Sequence, residues 1–233
     1  MLPRPDPTHT WDPEQYRRFA TERAQPFHDL LARLGRDPVA RAVDLGCGPG
    51  ELTALAARQL SIGRITGIDN SADMLAAAVE HAGPGVTFEP GDIAAWTSDR
   101  DHDLVLAAAS LQWLPDHAAV LARWTAALRP GGRIAVQVPA NAHAATHVVA
   151  ERVANSEPHR SAFGAAGPPP DPVARNVLTS EDYARILYEL GYVDIEVDLH
   201  DAAASDALGD TVDYGAICDA LVATVDTERP QLL

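Results

Sequence analysis

The stretch that most constrains this chain runs from Ala42 to Thr53, Ala-Val-Asp-Leu-Gly-Cys-Gly-Pro-Gly-Glu-Leu-Thr. An apolar run ends at Leu45 in Gly46-x-Gly48-x-Gly50, and a helical pattern begins near Glu51. The order strand, tight glycine turn, helix leaves bare backbone for a ligand. Glycine lacks a Cβ and tolerates positive φ, and the helix start offers unpaired N–H groups. The spacing narrows the ligand class. A dinucleotide fingerprint, G-x-G-x-x-G, would put its third glycine at position 51, which is Glu51, and a carboxylate there repels a pyrophosphate. A P-loop requires a lysine, and all 18 basic residues of this chain are arginine.

A length of 233 residues suits one α/β domain with a full core. The formal charge of −15 argues against binding a phosphate backbone, which needs clustered cations. Much of the acidity follows residue 193, where acids from Asp194 to Glu228 face only Arg229. Two cysteines, Cys47 and Cys218, make neither a disulfide framework nor a metal site, so no metal is expected. The N-terminus has three early prolines and no apolar signal core, and no stretch approaches the length of a membrane span. The expectation is a soluble cytoplasmic protein with a small-molecule partner and no nucleic-acid or membrane partner.

Residues 1–10 read as a disordered lead. From Asp12 to Leu34, apolar residues recur near helical spacing, and Pro26 divides them into two expected helices meeting near Gln25-Pro26. Arg41 to Leu45 is a first strand, followed by a helix from Glu51 to about Leu60. Arg64 to Ile68 is a second strand with Asp69 at its carboxyl end, and Ser71 suits the N-cap of a helix over 72–81. Val86 to Glu89 and Asp103 to Ala108 are the third and fourth strands, the latter apolar on both faces as a buried parallel strand is. A helix over 116–128 stops at Pro130-Gly131-Gly132, and Arg133 to Val138 is the fifth strand. A helix from Ala144 to Asn155, a mobile loop over 156–172, a helix over 180–190 and a sixth strand from Val193 to Leu199 complete the pattern. The fold class is α/β, a doubly wound, mostly parallel Rossmann-like sheet with helices on both faces. Ligands of such sheets bind outside the carboxyl ends of the strands, where Asp69 could accept hydrogen bonds from two ribose hydroxyls.

Asp44-Leu-Gly-Cys-Gly-Pro-Gly50 resembles the first motif of the class I S-adenosylmethionine-dependent methyltransferases. Ile68-Asp69, Gly91-Asp92-Ile93, Ser110 to Asp116 and Leu128 to Val136 continue the resemblance at the expected intervals. Within that superfamily, Trp11-Asp-Pro and Ala109-Ser-Leu-Gln-Trp-Leu-Pro-Asp-His117 look most like the enzymes that methylate trans-aconitate. The likeness covers about residues 11–200, with 11–40 as N-terminal cap helices. Beyond it, 201–233 reads as an atypical acidic tail. The family ends in an antiparallel strand beside the fifth, for which Ala220 to Val225 is only a weak candidate, so that strand is expected to be missing or atypical.

The resemblance implies S-adenosyl-L-methionine as cofactor, held by Asp44, Gly46, Cys47, Gly48, Gly50, Asp69, Asn70, Met74, Asp92, Ile93 and Ala108. It assigns Asp69 to the ribose and Asp92 to the adenine amino group, although Asp92 could instead cap the segment from Ile93 to Trp96. It makes Trp113 a wall of the methyl-transfer site, where a core position is the default. For the acceptor it points to Arg23, Asn141 and His147, and the need for cationic groups adds His143 as a further candidate; a surface ion pair for Arg23 and a structural bond for His147 are the competing roles. The implied reaction moves a methyl group to a carboxylate of a small polycarboxylic acid, trans-aconitate by resemblance. A carboxylate is already ionised near neutral pH, so no catalytic base is expected, and proximity and orientation carry the rate. Two other readings stand beside it, a methyltransferase for another small metabolite and a cofactor-binding protein without turnover.

Overall fold

The computed structural model describes residues 20–35, 37–140, 145–202 and 216–225. Helix α1 (Ala20–Ala32) leads into β1 (Arg41–Leu45), α2 (Glu51–Gln59), β2 (Arg64–Asp69), α3 (Ala72–Ala78) and β3 (Val86–Pro90). β4 (His102–Ala108), a 3-10 turn at Leu111–Trp113, α4 (His117–Ala126) and β5 (Leu128–Pro139) follow. The remainder is α5 (Ala145–Ala154), α6 (His159–Ala162), α7 (Pro172–Asn176), α8 (Ser180–Glu189), β6 (Tyr192–Ala202) and β7 (Ala216–Val225). The seven strands form one sheet in the order β3-β2-β1-β4-β5-β7-β6. β1 to β5 are mutually parallel, and β7 runs antiparallel to both its neighbours. The order reverses between β1 and β4, which opens a crevice at their carboxyl ends.

Successive strand residues divide between two cores. On one face Ala42, Leu104, Leu106 and Ala135 pack with Phe27, Leu30 and Leu31 of α1 and Ala56 of α2. On the other Val43, Leu45, Val105 and Ile134 pack with Leu121 and Trp124 of α4 and Tyr183 and Leu187 of α8. Both faces are covered, so the central strands carry continuous apolar runs without alternation.

Four expectations need correction. Pro26 does not divide two helices but lies inside α1. Phe27, Leu30, Leu31 and Leu34 keep a buried stripe beyond it, and burying each contributes about 1.5–3 kcal/mol, which outweighs the ~3 kcal/mol cost of an interior proline. The part of that expectation before residue 20 lies outside the described residues, as does the lead over 1–10. The terminal antiparallel strand is present as β7, paired with β5 from Arg133↔Thr224 to Pro139↔Cys218. The sheet therefore continues past residue 200.

Pro130-Gly131-Gly132 lies within β5 and does not precede it. Leu128 already pairs with His102, the register then jumps so that Arg133 pairs with Leu104, and Gly131 takes a φ of 75° in the bulge. The segment 156–172, expected as a loop, contains α6 and begins α7. Asp171 caps α7 through its side chain, with Pro172 at the first helical position where its missing N–H costs nothing.

Candidate functional site

The site forms at the carboxyl ends of β1, β2, β3 and β4. The Gly46 and Cys47 N–H groups both donate to the Ile68 carbonyl, at 2.8 and 3.1 Å, folding the glycine turn against the end of β2. Asp69 meets it there. Its Oδ2 accepts from the Gly48 N–H at 2.9 Å and its Oδ1 from the Ser71 N–H at 2.8 Å. Each carboxylate oxygen keeps a lone pair for a ligand hydroxyl.

The glycines serve different needs. A Cβ on Gly46 would lie 2.3 Å from the Ser110 Cβ, and one on Gly50 would lie 2.6 Å from the Phe88 ring. These two let the turn sink between β2, β3 and β4. Gly48, at φ 54°, has nothing within 4 Å of its Cβ position, so its surface is open to a ligand. Ser110, which seats Gly46, is itself held by donating its hydroxyl to the Leu45 carbonyl at 2.6 Å.

Below the turn lies Asp44, only 3% exposed, accepting a hydrogen bond from the Thr53 hydroxyl on α2. Burial pushes its carboxyl up to about 6, the Thr53 bond opposing this and the Asp69 charge adding to it. Burial likewise pushes the Cys47 thiol far up, helped by Asp44 and Asp69, so Cys47 fills space as a neutral group. Two carboxylates set against bare glycine suit a ligand that carries positive charge and repel a pyrophosphate.

The Asp92 loop follows β3. Asp92 is exposed; its Oδ1 accepts from the Ala94 N–H at 2.9 Å, so it does cap the short turn, with Oδ2 outside that bond. Trp124 donates its indole N–H to the Ile93 carbonyl at 2.9 Å and Arg123 bonds the Ala94 carbonyl, fixing this loop from α4. Ile93 itself comes within 3.7 Å of the Gly46 Cβ position. Met74 is buried on α3, Asn70 is exposed beside Asp69, and Ala108 ends β4. After β4, Ala109 holds an unusual φ of 51°, and Trp113 on the following turn is 45% exposed rather than a core residue.

The acceptor candidates are less completely placed. Arg23 lies on α1, but its side chain is outside the described residues, as are Asn141 and His143 altogether. His147 on α5 is half-buried, with Nδ1 3.2 Å from Asp171 Oδ2. Sequence reasoning missed Thr53, Ser110, Trp124 and Asp171. Thr53 was detectable as a polar residue on the inner side of the first helical turn; the others required the tertiary fold.

Residues 42–132 match the family model described as a methyltransferase domain. An S-adenosylmethionine-dependent methyltransferase from Mesorhizobium loti shares the fold, with a TM-score of 0.64 at 22% identity over 88% of this chain and 99% of that one. Fold and glycine loop thus define a methyltransferase domain of the class that uses S-adenosyl-L-methionine. A trans-aconitate 2-methyltransferase from Mycobacterium sp. (strain KMS) is 42% identical over 181 residues, covering 78% of this chain and 69% of that protein. One from Streptomyces avermitilis is 47% identical over 155 residues, or 63% of this chain and 57% of its own length. The chain belongs to the trans-aconitate 2-methyltransferase family.

Proposed function

We propose that this protein transfers a methyl group from S-adenosyl-L-methionine to a carboxylate of trans-aconitate, giving a methyl ester, in the cytoplasm. The observation that carries the reading is the 42% identity to a trans-aconitate 2-methyltransferase across 181 residues. The cofactor brings a methyl group made electrophilic by its sulfonium, and its leaving group departs neutral. Asp69 binds the ribose through the oxygens that already grip Gly48 and Ser71, and Gly46, Gly48 and Gly50 let the cofactor's amino-acid end lie on bare backbone. Asp44 supplies the negative charge for its ammonium. Cys47, Asn70, Met74, Ile93 and Ala108 shape the adenosine pocket, and Asp92 takes the adenine amino group on the oxygen not used by Ala94.

On the acceptor side, Trp113 walls off water, while Arg23, Asn141 and His147 hold the carboxylates that are not attacked. The attacking carboxylate needs no base, so the chain's contribution is orientation, which supplies roughly 7–11 kcal/mol in favourable cases. The formal charge of −15 supports a small-molecule acceptor over nucleic acid. Among the described residues no helix is long and apolar enough to cross a membrane.

The test is incubation of the purified protein with S-adenosylmethionine and trans-aconitate. The expected product is a methyl ester that mild alkali hydrolyses; an alkali-stable methylated product, or none, would overturn the acceptor assignment. Arg23→Ala is expected to raise the acceptor KM at least about tenfold, the loss of one charge-assisted contact. Initial rates across acceptor concentration check this, and unchanged kinetics would remove Arg23 from the site.

A further inference from the structure

His147 and Asp171 come from different elements and meet at Nδ1 and Oδ2, 3.2 Å apart. A carboxylate only accepts, so the proton of this bond sits on Nδ1. The other ring nitrogen, Nε2, has no protein partner among the described residues. The remaining oxygen of Asp171, Oδ1, accepts from the Val173 N–H at 2.9 Å and caps α7. At the far end of α7, Asn176 donates its amide to the Gln112 carbonyl at 2.9 Å, in the turn that carries Trp113. The Asp171 carboxylate therefore links α5 to α7, and Asn176 links α7 to the turn that follows β4. Both α5 and that turn lie beyond the carboxyl ends of parallel strands, β5 and β4.

We propose that Asp171 is a positioning residue for the methyl acceptor: it fixes the His147 ring, so that Nε2 is the nitrogen left to bind an acceptor carboxylate, and sets that ring relative to the Trp113 wall. The inference rests on the acceptor role of His147 given under the proposed function. Asp171 does not touch the acceptor. A ring that carries protons on both nitrogens is the form that donates to a carboxylate through Nε2 while Nδ1 stays on Asp171. An arrangement of this kind separates an acid-binding histidine from a merely exposed one.

Asp171→Asn tests this, because asparagine caps a helix as well as aspartate does while removing the charge and placing an amide against Nδ1. Initial rates with trans-aconitate are expected to show the acceptor KM raised about tenfold, with the Kd for S-adenosylmethionine within about twofold of wild type. A purely structural cap would leave the acceptor KM unchanged. In a His147→Ala background the same substitution is expected to have no further effect on KM. An acceptor KM within twofold of wild type, or an equal loss in the His147→Ala background, overturns the proposal. If wild type binds the cofactor but does not turn over trans-aconitate, the acceptor reading fails, and the pairing is then decided by the 15N spectrum of the His147 ring. Protonation of Nδ1 in wild type and its loss in Asp171→Asn would support the positioning role; an unprotonated Nδ1 in wild type would overturn it.

Discussion

Asp69→Ala is expected to weaken S-adenosylmethionine binding at least about a hundredfold, measured by calorimetric titration. The carboxylate does two things at once. It grips the Gly48 and Ser71 N–H groups at 2.9 and 2.8 Å, and under the proposed function its remaining lone pairs would take the ribose hydroxyls. Hydrogen bonds to a charged group contribute about 1.5–3 kcal/mol each, so losing two to the ribose costs about 3–6 kcal/mol. That range begins above a hundredfold. Asp69→Asn keeps one acceptor oxygen and is expected to fall between the two. The loop itself is secured by more than Asp69, since Gly46 and Cys47 remain bonded to the Ile68 carbonyl. The alanine variant is therefore expected to fold, and a folded variant with unchanged affinity would remove Asp69 from the ribose site.

The part of this site that could be read in the sequence is the part in which backbone conformation dictates residue type. Gly46, Gly48 and Gly50 all have positive φ, and no other residue type occupies three such positions so closely spaced without strain. Asp69 was legible for a related reason, as an acid just past an apolar run in a sheet whose strands end at the crevice. β7 was obscure because it is covered on both sides. Val222 and Ala223 enter opposite cores, so the strand shows no alternation, and its alanines carry little strand preference. Pro26 misled because local propensity was weighed without the stripe from Phe27 to Leu34 that holds α1 on the sheet. Asp171 could not be found at all from sequence, since its partner lies 24 residues away on another helix.

Asp44 presents a conflict between stability and function that a single isosteric change exposes. Burial, only partly offset by the Thr53 hydroxyl, raises its carboxyl from an ordinary 3.8 to about 6. Between those values the folded chain holds a proton that the unfolded chain has released, so stability falls as pH rises through this window. Above about pH 6 the full cost is carried, about 3 kcal/mol for a shift of this size. Asp44→Asn removes the charge while keeping an oxygen for Thr53. The ligand-free variant is therefore expected to melt about 6–12 °C higher than wild type at pH 7.5 and to lose that advantage below about pH 4. Its affinity for S-adenosylmethionine is expected to move the other way, falling about thirtyfold, because the ammonium has lost its buried counter-charge. The pH dependence of binding separates this from a general loss of fit. In wild type the affinity should rise as pH climbs through about 6 and Asp44 ionises, and in the asparagine variant that rise should disappear. Thermal melts and titrations at pH 5.5 and 7.5 decide the matter. A variant that binds as tightly as wild type while melting higher would mean that the buried charge serves no ligand.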